Sequence, residues 1–243
     1  MSFFTPHPSS VLRRVLFVLV LLGFLAPTAS AQLDVRLGIK QGANFATLSG
    51  DWKQATALSA ADAELNRRIG FVFGGLLVLD PAGPLAVQPE VLAIWKGARG
   101  LAGQTETRTT LNYLEVPVLL KYTPFASGGL TASLLAGPTV GLATKAQRNR
   151  ITRDGAGEVE TSTRTNLDGS VRSLDAGLAG GVELGYRFSN KVKFMTEVRY
   201  RRSFTSAFNG GTGSSGTTSS LQTQNQSLAL TLGLVYSAVG GFW

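Results

Sequence analysis

Residues 111–122 have the sequence LNYLEVPVLLKY. Every second residue from 114 to 122 is apolar or aromatic, whereas the residues between them include Glu115 and Lys121. A period of two is the repeat of a β-strand, in which successive side chains point to opposite faces. The segment therefore predicts a strand with one apolar face and one face that carries charges of both signs.

The same alternation recurs along the rest of the chain and predicts eight strands in total. The predicted strands are Asp34–Ala46, Arg68–Leu79, Leu85–Lys96, Leu111–Tyr122, Leu130–Thr144, Leu174–Phe188, Lys191–Arg202 and Leu228–Tyr236.

Short and long connections alternate between these strands. The short ones are 80–84, 123–129 and 189–190, and the long polar ones are 47–67, 97–110, 145–173 and 203–227. Outer-membrane barrels have short periplasmic turns and longer extracellular loops. We therefore predict an all-β fold, an eight-stranded antiparallel up-and-down transmembrane β-barrel. An even number of strands places both termini in the periplasm.

Aromatic residues cluster near the predicted strand ends and predict the two girdles of a membrane barrel. The periplasmic set is Tyr122, Tyr186, Phe188, Phe194 and Tyr236, and the outer set is Phe45, Trp95 and Tyr200.

The first 31 residues have the pattern of a secretory signal peptide. Arg13 and Arg14 precede the apolar run Val15–Leu25, and Ala29-Ser30-Ala31 fits a small-residue cleavage site. The apolar run is shorter than the roughly 20 residues that a spanning helix needs. We expect residues 1–31 to be removed and residues 32–243 to form the barrel domain in the bacterial outer membrane.

Composition argues against an enzyme. The chain has no cysteine, and its one histidine, His7, lies in the predicted signal peptide. Thiolate or imidazole metal sites and histidine-dependent nucleophilic catalysis are therefore not expected. We predict no catalytic or metal-binding residues and no cofactor.

The net charge is +8, and export argues against nucleic acid as the partner. A basic barrel suits contact with outer-membrane lipid and the phosphates of lipopolysaccharide instead.

Charged residues recur at the predicted inward-facing positions. Because an eight-stranded barrel is only wide enough for side chains to fill, we interpret them as a structural ion-pair network that closes the lumen. A proton or ion path is the alternative interpretation. The residues are Arg36, Lys40, Glu90, Lys96, Glu115, Lys121, Asp175, Glu183, Arg187, Lys193, Glu197, Arg199 and Arg201.

Several segments resemble the PorT-type outer-membrane β-barrel family of Bacteroidetes. They are LGIKQGANF at 37–45, VQPEVL at 87–92, LNYLEVPVLLKY at 111–122 and AGPTVG at 136–141. The resemblance covers most of residues 32–243. It implies a small envelope barrel whose partners belong to an envelope or secretion complex. The terminal Phe242-Trp243 fits a C-terminal strand that barrel-insertion machinery would bind.

We therefore expect a structural or interaction protein of the envelope that acts through its outer loops. The alternatives are a narrow porin-like channel or transporter of small solutes, and an accessory component of a secretion apparatus. Basic residues in the predicted loop 145–173 favour the first: Lys145, Arg148, Arg150, Arg153, Arg164 and Arg172.

Overall fold

The computed structural model describes residues 33–50, 64–81, 83–167, 169, 171–207, 211–212, 218–219 and 223–237. The predicted signal peptide and Phe242-Trp243 lie outside the described residues. The strands are β1 (Asp34–Gly50), β2 (Glu64–Asp80), β3 (Leu85–Ala102), β4 (Thr105–Ser127), β5 (Leu130–Arg153), β6 (Val159–Asn166), β7 (Leu174–Arg187), β8 (Val192–Ser203), β9 (Gly211–Thr212), β10 (Thr218–Ser219) and β11 (Thr223–Ser237).

Eight of the described strands form a closed antiparallel ring. Strands β1 to β5, then β7, β8 and β11, each pair with the next along the chain, and β11 pairs with β1. The predicted fold class, an all-β up-and-down barrel, is confirmed. No helix in the described part of the chain is long and apolar enough to cross a membrane.

Side chains alternate between the lumen and the outside along each strand of the ring, as the sequence predicts. On β4, Leu114 and Leu120 are exposed on the outside, whereas Glu115 and Leu119 are buried inside. The other ring strands follow the same rule, which leaves a belt of exposed apolar side chains around the barrel. Aromatic side chains of both predicted girdles lie on this outer face; Phe71 and Trp95 contact each other with ring centroids 5.9 Å apart.

Apolar side chains fill the part of the lumen that the charges leave. One buried cluster contains Leu76, Val78, Ala86, Met195 and Val235.

Close strand approach constrains one glycine of β5. A Cβ added at Gly137 would lie 2.1 Å from the carbonyl oxygen of Val118 on the neighbouring strand. Any side chain there would push β4 and β5 apart.

The prediction that residues 97–110 form a long loop is wrong, because β3 and β4 continue through this segment and meet in a tight turn. Gly103, at φ 53°, occupies the turn in the left-handed region that favours glycine. Thr107 and Thr109 are buried here while Arg108 is exposed, so the alternation persists with polar and small residues. A search for alternating apolar residues therefore could not predict that β3 and β4 extend into this segment.

Two antiparallel hairpins therefore extend beyond the ring, β3–β4 and β5–β6. Strand β5 pairs with β7 up to Leu142 and with β6 from Gln147 onward. The turn that joins β5 to β6 contains Asp154-Gly155. We call the four-stranded extension of β3, β4, β5 and β6 the outer sheet.

Replacing an outward-facing valine with arginine should destabilise the barrel in the membrane. Val118 lies on the outside near the middle of β4. The change Val118→Arg should lower the free energy of unfolding by about 2–4 kcal/mol, because a guanidinium near the bilayer midplane loses its hydration. The measurement is reversible urea unfolding in lipid vesicles.

The matched control is Thr161→Arg on β6, which is exposed and lies in the outer sheet. We expect it to change stability by less than about 0.5 kcal/mol. Equal stability of Val118→Arg and the parent would contradict the assigned facing.

Candidate functional site

The inward charges predicted from the sequence meet inside the barrel. Eleven of the thirteen are buried: Lys40, Glu90, Lys96, Glu115, Lys121, Asp175, Glu183, Lys193, Glu197, Arg199 and Arg201. Arg36 and Arg187 are half-buried near the end with the short turns. Their contacts form three successive layers along the lumen.

The middle layer is centred on Glu90. Its carboxylate accepts two hydrogen bonds from the Arg199 guanidinium, at 2.7 and 2.8 Å, and one from Lys40 Nζ at 2.9 Å. Glu197 accepts from the same two cations, at 2.8 Å from Arg199 and 3.3 Å from Lys40. Two carboxylates therefore face two cations, and this layer is formally neutral.

The lower layer, nearer the short turns, is built around Glu183. Lys121 Nζ lies 2.7 Å from both of its oxygens, and Lys193 Nζ lies 2.9 Å away. Gln88 joins this layer to the middle one, since its Nε2 donates to Glu90 at 2.7 Å and its Oε1 accepts from Lys121 at 3.3 Å. Gln88 is buried too, and the sequence analysis did not select it.

The upper layer contains Glu115, Asp175, Lys96 and Arg201. Lys96 Nζ donates to Glu115 at 2.7 Å and lies 3.6 Å from Asp175. Arg201 Nε lies 3.0 Å from the other oxygen of Glu115. Asp175 also accepts a hydrogen bond from the Ser203 hydroxyl at 2.8 Å.

A smaller ion-pair group lies at the short-turn end and includes residues that the sequence analysis did not select. Arg36 contacts Asp34 at 2.6 Å and Asp80 at 3.1 Å. Both acids sit at strand ends, where alternation alone gives no reason to assign them to the lumen.

An apolar cluster occupies the other end of the lumen, and we call it the apolar cap. Leu167 and Val171 come from the segment between β6 and β7, which was predicted as part of a polar loop. Its buried members are Leu48, Ala98, Leu111, Tyr113, Ala146, Leu167, Val171 and Ala207. The signal that could have found it is the presence of isolated apolar residues within that loop.

Several buried polar atoms near the upper layer lack a hydrogen-bond partner in the part of the chain that the structure describes. The terminal nitrogens of Arg201 and the Ser227 hydroxyl have no hydrogen-bond partner among the described residues. These two residues face each other across β8 and β11. Tyr113 of the apolar cap accepts a hydrogen bond from Asn225 at 3.2 Å just beyond them. This stretch of lumen is polar enough to hold water.

The arrangement suits closure better than catalysis. Glu90 and Glu115 lie on neighbouring strands, but they belong to different layers and each contacts cations rather than the other carboxylate. Among the described residues, no group of three or more histidine, cysteine, aspartate or glutamate side chains could hold a metal ion. Instead, the six buried cations and the five buried acids contact one another across the lumen.

Comparison with known proteins identifies the family. Residues 29–209 match the family described as outer membrane protein beta-barrel domain, so the chain belongs to that family and to the bacterial outer membrane. The match is to the broad family, and the narrower PorT-type resemblance stays a prediction. A search of curated proteins finds no match.

Several solved outer-membrane barrels are similar in fold. Neisserial surface protein A is 11% identical, with 83% of this chain and 96% of that chain covered and a TM-score of 0.40. OprG from Pseudomonas aeruginosa is 11% identical over 84% and 96%, with a TM-score of 0.45. The outer membrane protease OmpT from Escherichia coli is 11% identical over 88% and 99%, with a TM-score of 0.40. These likenesses assign no activity.

Removing the central acid of the lower layer should destabilise the barrel strongly. In the Glu183→Ala variant, Lys121 and Lys193 would remain buried without the carboxylate that both contact. We expect a loss of about 3–5 kcal/mol in the free energy of unfolding, because a buried charge that loses its partner is costly. Urea unfolding in lipid vesicles measures it.

Glu160→Ala, at an exposed glutamate of β6, is the control and should leave stability nearly unchanged. A loss below about 1 kcal/mol for Glu183→Ala would mean that lumen water solvates the two lysines, as it does for exposed pairs.

Proposed function

We propose that this member of the outer membrane protein β-barrel family is a structural or interaction protein of the cell envelope. The observation that carries the proposal is the set of buried ion pairs that lies in three layers along the lumen. The three layers leave the carboxylates and cations in mutual contact, and the apolar cap covers the end beyond them. A barrel filled in this way has its outer surface, rather than its interior, available for function.

The outer sheet is the surface that this function would use. It combines two hairpins whose strands stay hydrogen-bonded up to their turns, so it presents a regular β-sheet surface. Residues 97–110 and 144–166 carry seven basic and four acidic residues. Its charge favours an anionic partner.

We propose the orientation on the basis of connection length. We place the short turns and both termini in the periplasm and the outer sheet outside the cell, as in other bacterial barrels. An accessory role in secretion rests on the PorT-type resemblance alone.

Purified wild-type protein should conduct almost no current in planar lipid bilayers, because the ion-pair layers occupy the lumen. A silent recording is informative only if the protein has inserted, so insertion is checked by heat-modifiable mobility of the recovered bilayer protein. Steady single-channel conductance would contradict the proposal and favour a narrow channel.

Single cysteines should report the orientation, because the chain contains no cysteine of its own. Gln104→Cys lies in the β3–β4 turn and Asn190→Cys in the short β7–β8 turn, and both positions are exposed. A bulky membrane-impermeant maleimide should label the first in intact cells and the second only after permeabilisation. The reverse pattern would contradict the proposed orientation.

A further inference from the structure

The outer sheet carries a row of directly opposed polar residues on its outward face. Arg99 on β3 pairs in register with Arg108 on β4, Arg108 with Asn149 on β5, and Asn149 with Arg164 on β6. Neighbouring strands lie about 4.8 Å apart, so the row spans roughly 14 Å. Three guanidinium groups thus share one line across four strands.

Two of these arginines are held by one carboxylate. Glu106 Oε1 accepts from Arg108 Nε and lies 2.6 Å from Arg99 Nε. Glu106 is nearly covered, whereas the side chains of Arg99 and Arg108 are 44% and 51% exposed. Because both arginines meet the acid through Nε, their terminal nitrogens remain accessible. The hydrogen bonds from Arg108 and Arg99 hold the pKa of Glu106 below its usual range, so this clamp persists at neutral pH.

The row lies just beyond the lipid-facing belt and on the same face. Trp95 of the outer girdle pairs with Asn112, and Asn112 pairs with the exposed Lys145. Arg99 is four residues further along β3, about 13 Å along the strand and roughly 10 Å further out for a tilted strand. Phosphate groups of outer-leaflet lipids lie in this zone.

We propose that Arg99, Arg108 and Arg164 form a binding site for the phosphate groups of a phosphorylated glycolipid of the outer leaflet. The inference rests on the proposed function, since it names the partner of the outer sheet. Planar guanidinium groups suit phosphate because two N–H groups can donate to two oxygens at once. Glu106 restrains two of the three, Arg99 and Arg108, and this reduces the conformational entropy that they lose when a phosphate binds. Lys145, at the level of the girdle, adds a fourth positive charge closer to the membrane.

The test measures binding of diphosphoryl lipid A to the full barrel in detergent by native mass spectrometry. Arg99→Gln with Arg108→Gln should weaken binding about a hundredfold, roughly tenfold for each of the two charge-assisted contacts that are lost. The double variant Arg99→Lys with Arg108→Lys keeps the charge but loses the guanidinium geometry. It should weaken binding by a smaller factor, about tenfold, because only the geometric part of the recognition is lost.

The matched control is Arg172→Gln with Arg202→Gln, which removes two exposed charges elsewhere at the same end of the barrel. It should bind like wild type, and lipid A without phosphates should bind wild type weakly. Equal losses in control and row variants, or wild-type affinity in the lysine variant, would overturn the site. Competition by millimolar inorganic phosphate would also overturn it, by identifying a free-anion site instead of a lipid site.

Bilayer conductance is recorded on the same preparations. If the protein neither binds the lipid nor conducts current, this inference is overturned and the proposed function stands. If the protein binds the lipid and also conducts a steady current, the proposed function is overturned and the lipid site stands.

Discussion

Every charge that faces the interior of a narrow barrel must be compensated inside that barrel. Eight strands enclose a space that side chains fill, and an ion moved out of water is stable there only with close counter-ions and hydrogen bonds. The structure meets this constraint with repeated units in which acids and bases share partners. Glu90 and Glu197 share Arg199 and Lys40, and Glu183 contacts two lysines. The apolar clusters fill the volume that remains. The closure of the lumen that we propose would be a consequence of satisfying the charges, and it directs the search for function to the outside.

The alternation of side chains has different roles in different parts of the same strand. On β4, Glu115 enters the ion-pair layers, and Leu114 next to it meets lipid. Further out on the same strand, the outward position becomes Arg108 and the inward position becomes Thr109. The face that contacts lipid within the ring is thus continuous with the face that carries the arginine row. This continuity is why a charged partner at the membrane boundary, rather than one in the lumen, fits the outer sheet.

Much of the barrel was predictable because strand facing is a local property. Alternation located the ring strands and assigned Lys40, Glu183 and Arg199 to the interior. The pairing of charges was not predictable, since it depends on the tilt and stagger that bring β1 next to β8 and β4 next to β7 across the lumen. The outer sheet was partly missed because threonine and arginine replace the apolar residues that mark a strand. Leu167 and Val171 of the apolar cap were missed for a related reason, since they lie in a segment without regular period.

A double-mutant cycle between Glu90 and Arg199 tests the central claim, that mutual pairing holds the lumen charges in place. The variants are Glu90→Gln, Arg199→Met and their combination, and the measurement is the free energy of unfolding in lipid vesicles. The contacts of the pair indicate that it is closed off from water. In that case the loss of unfolding free energy in the double variant should be smaller than the sum of the two single losses, by at least about 1.5 kcal/mol. Losses that add to within about 0.5 kcal/mol would show that the two groups are solvated independently, and would contradict a closed lumen.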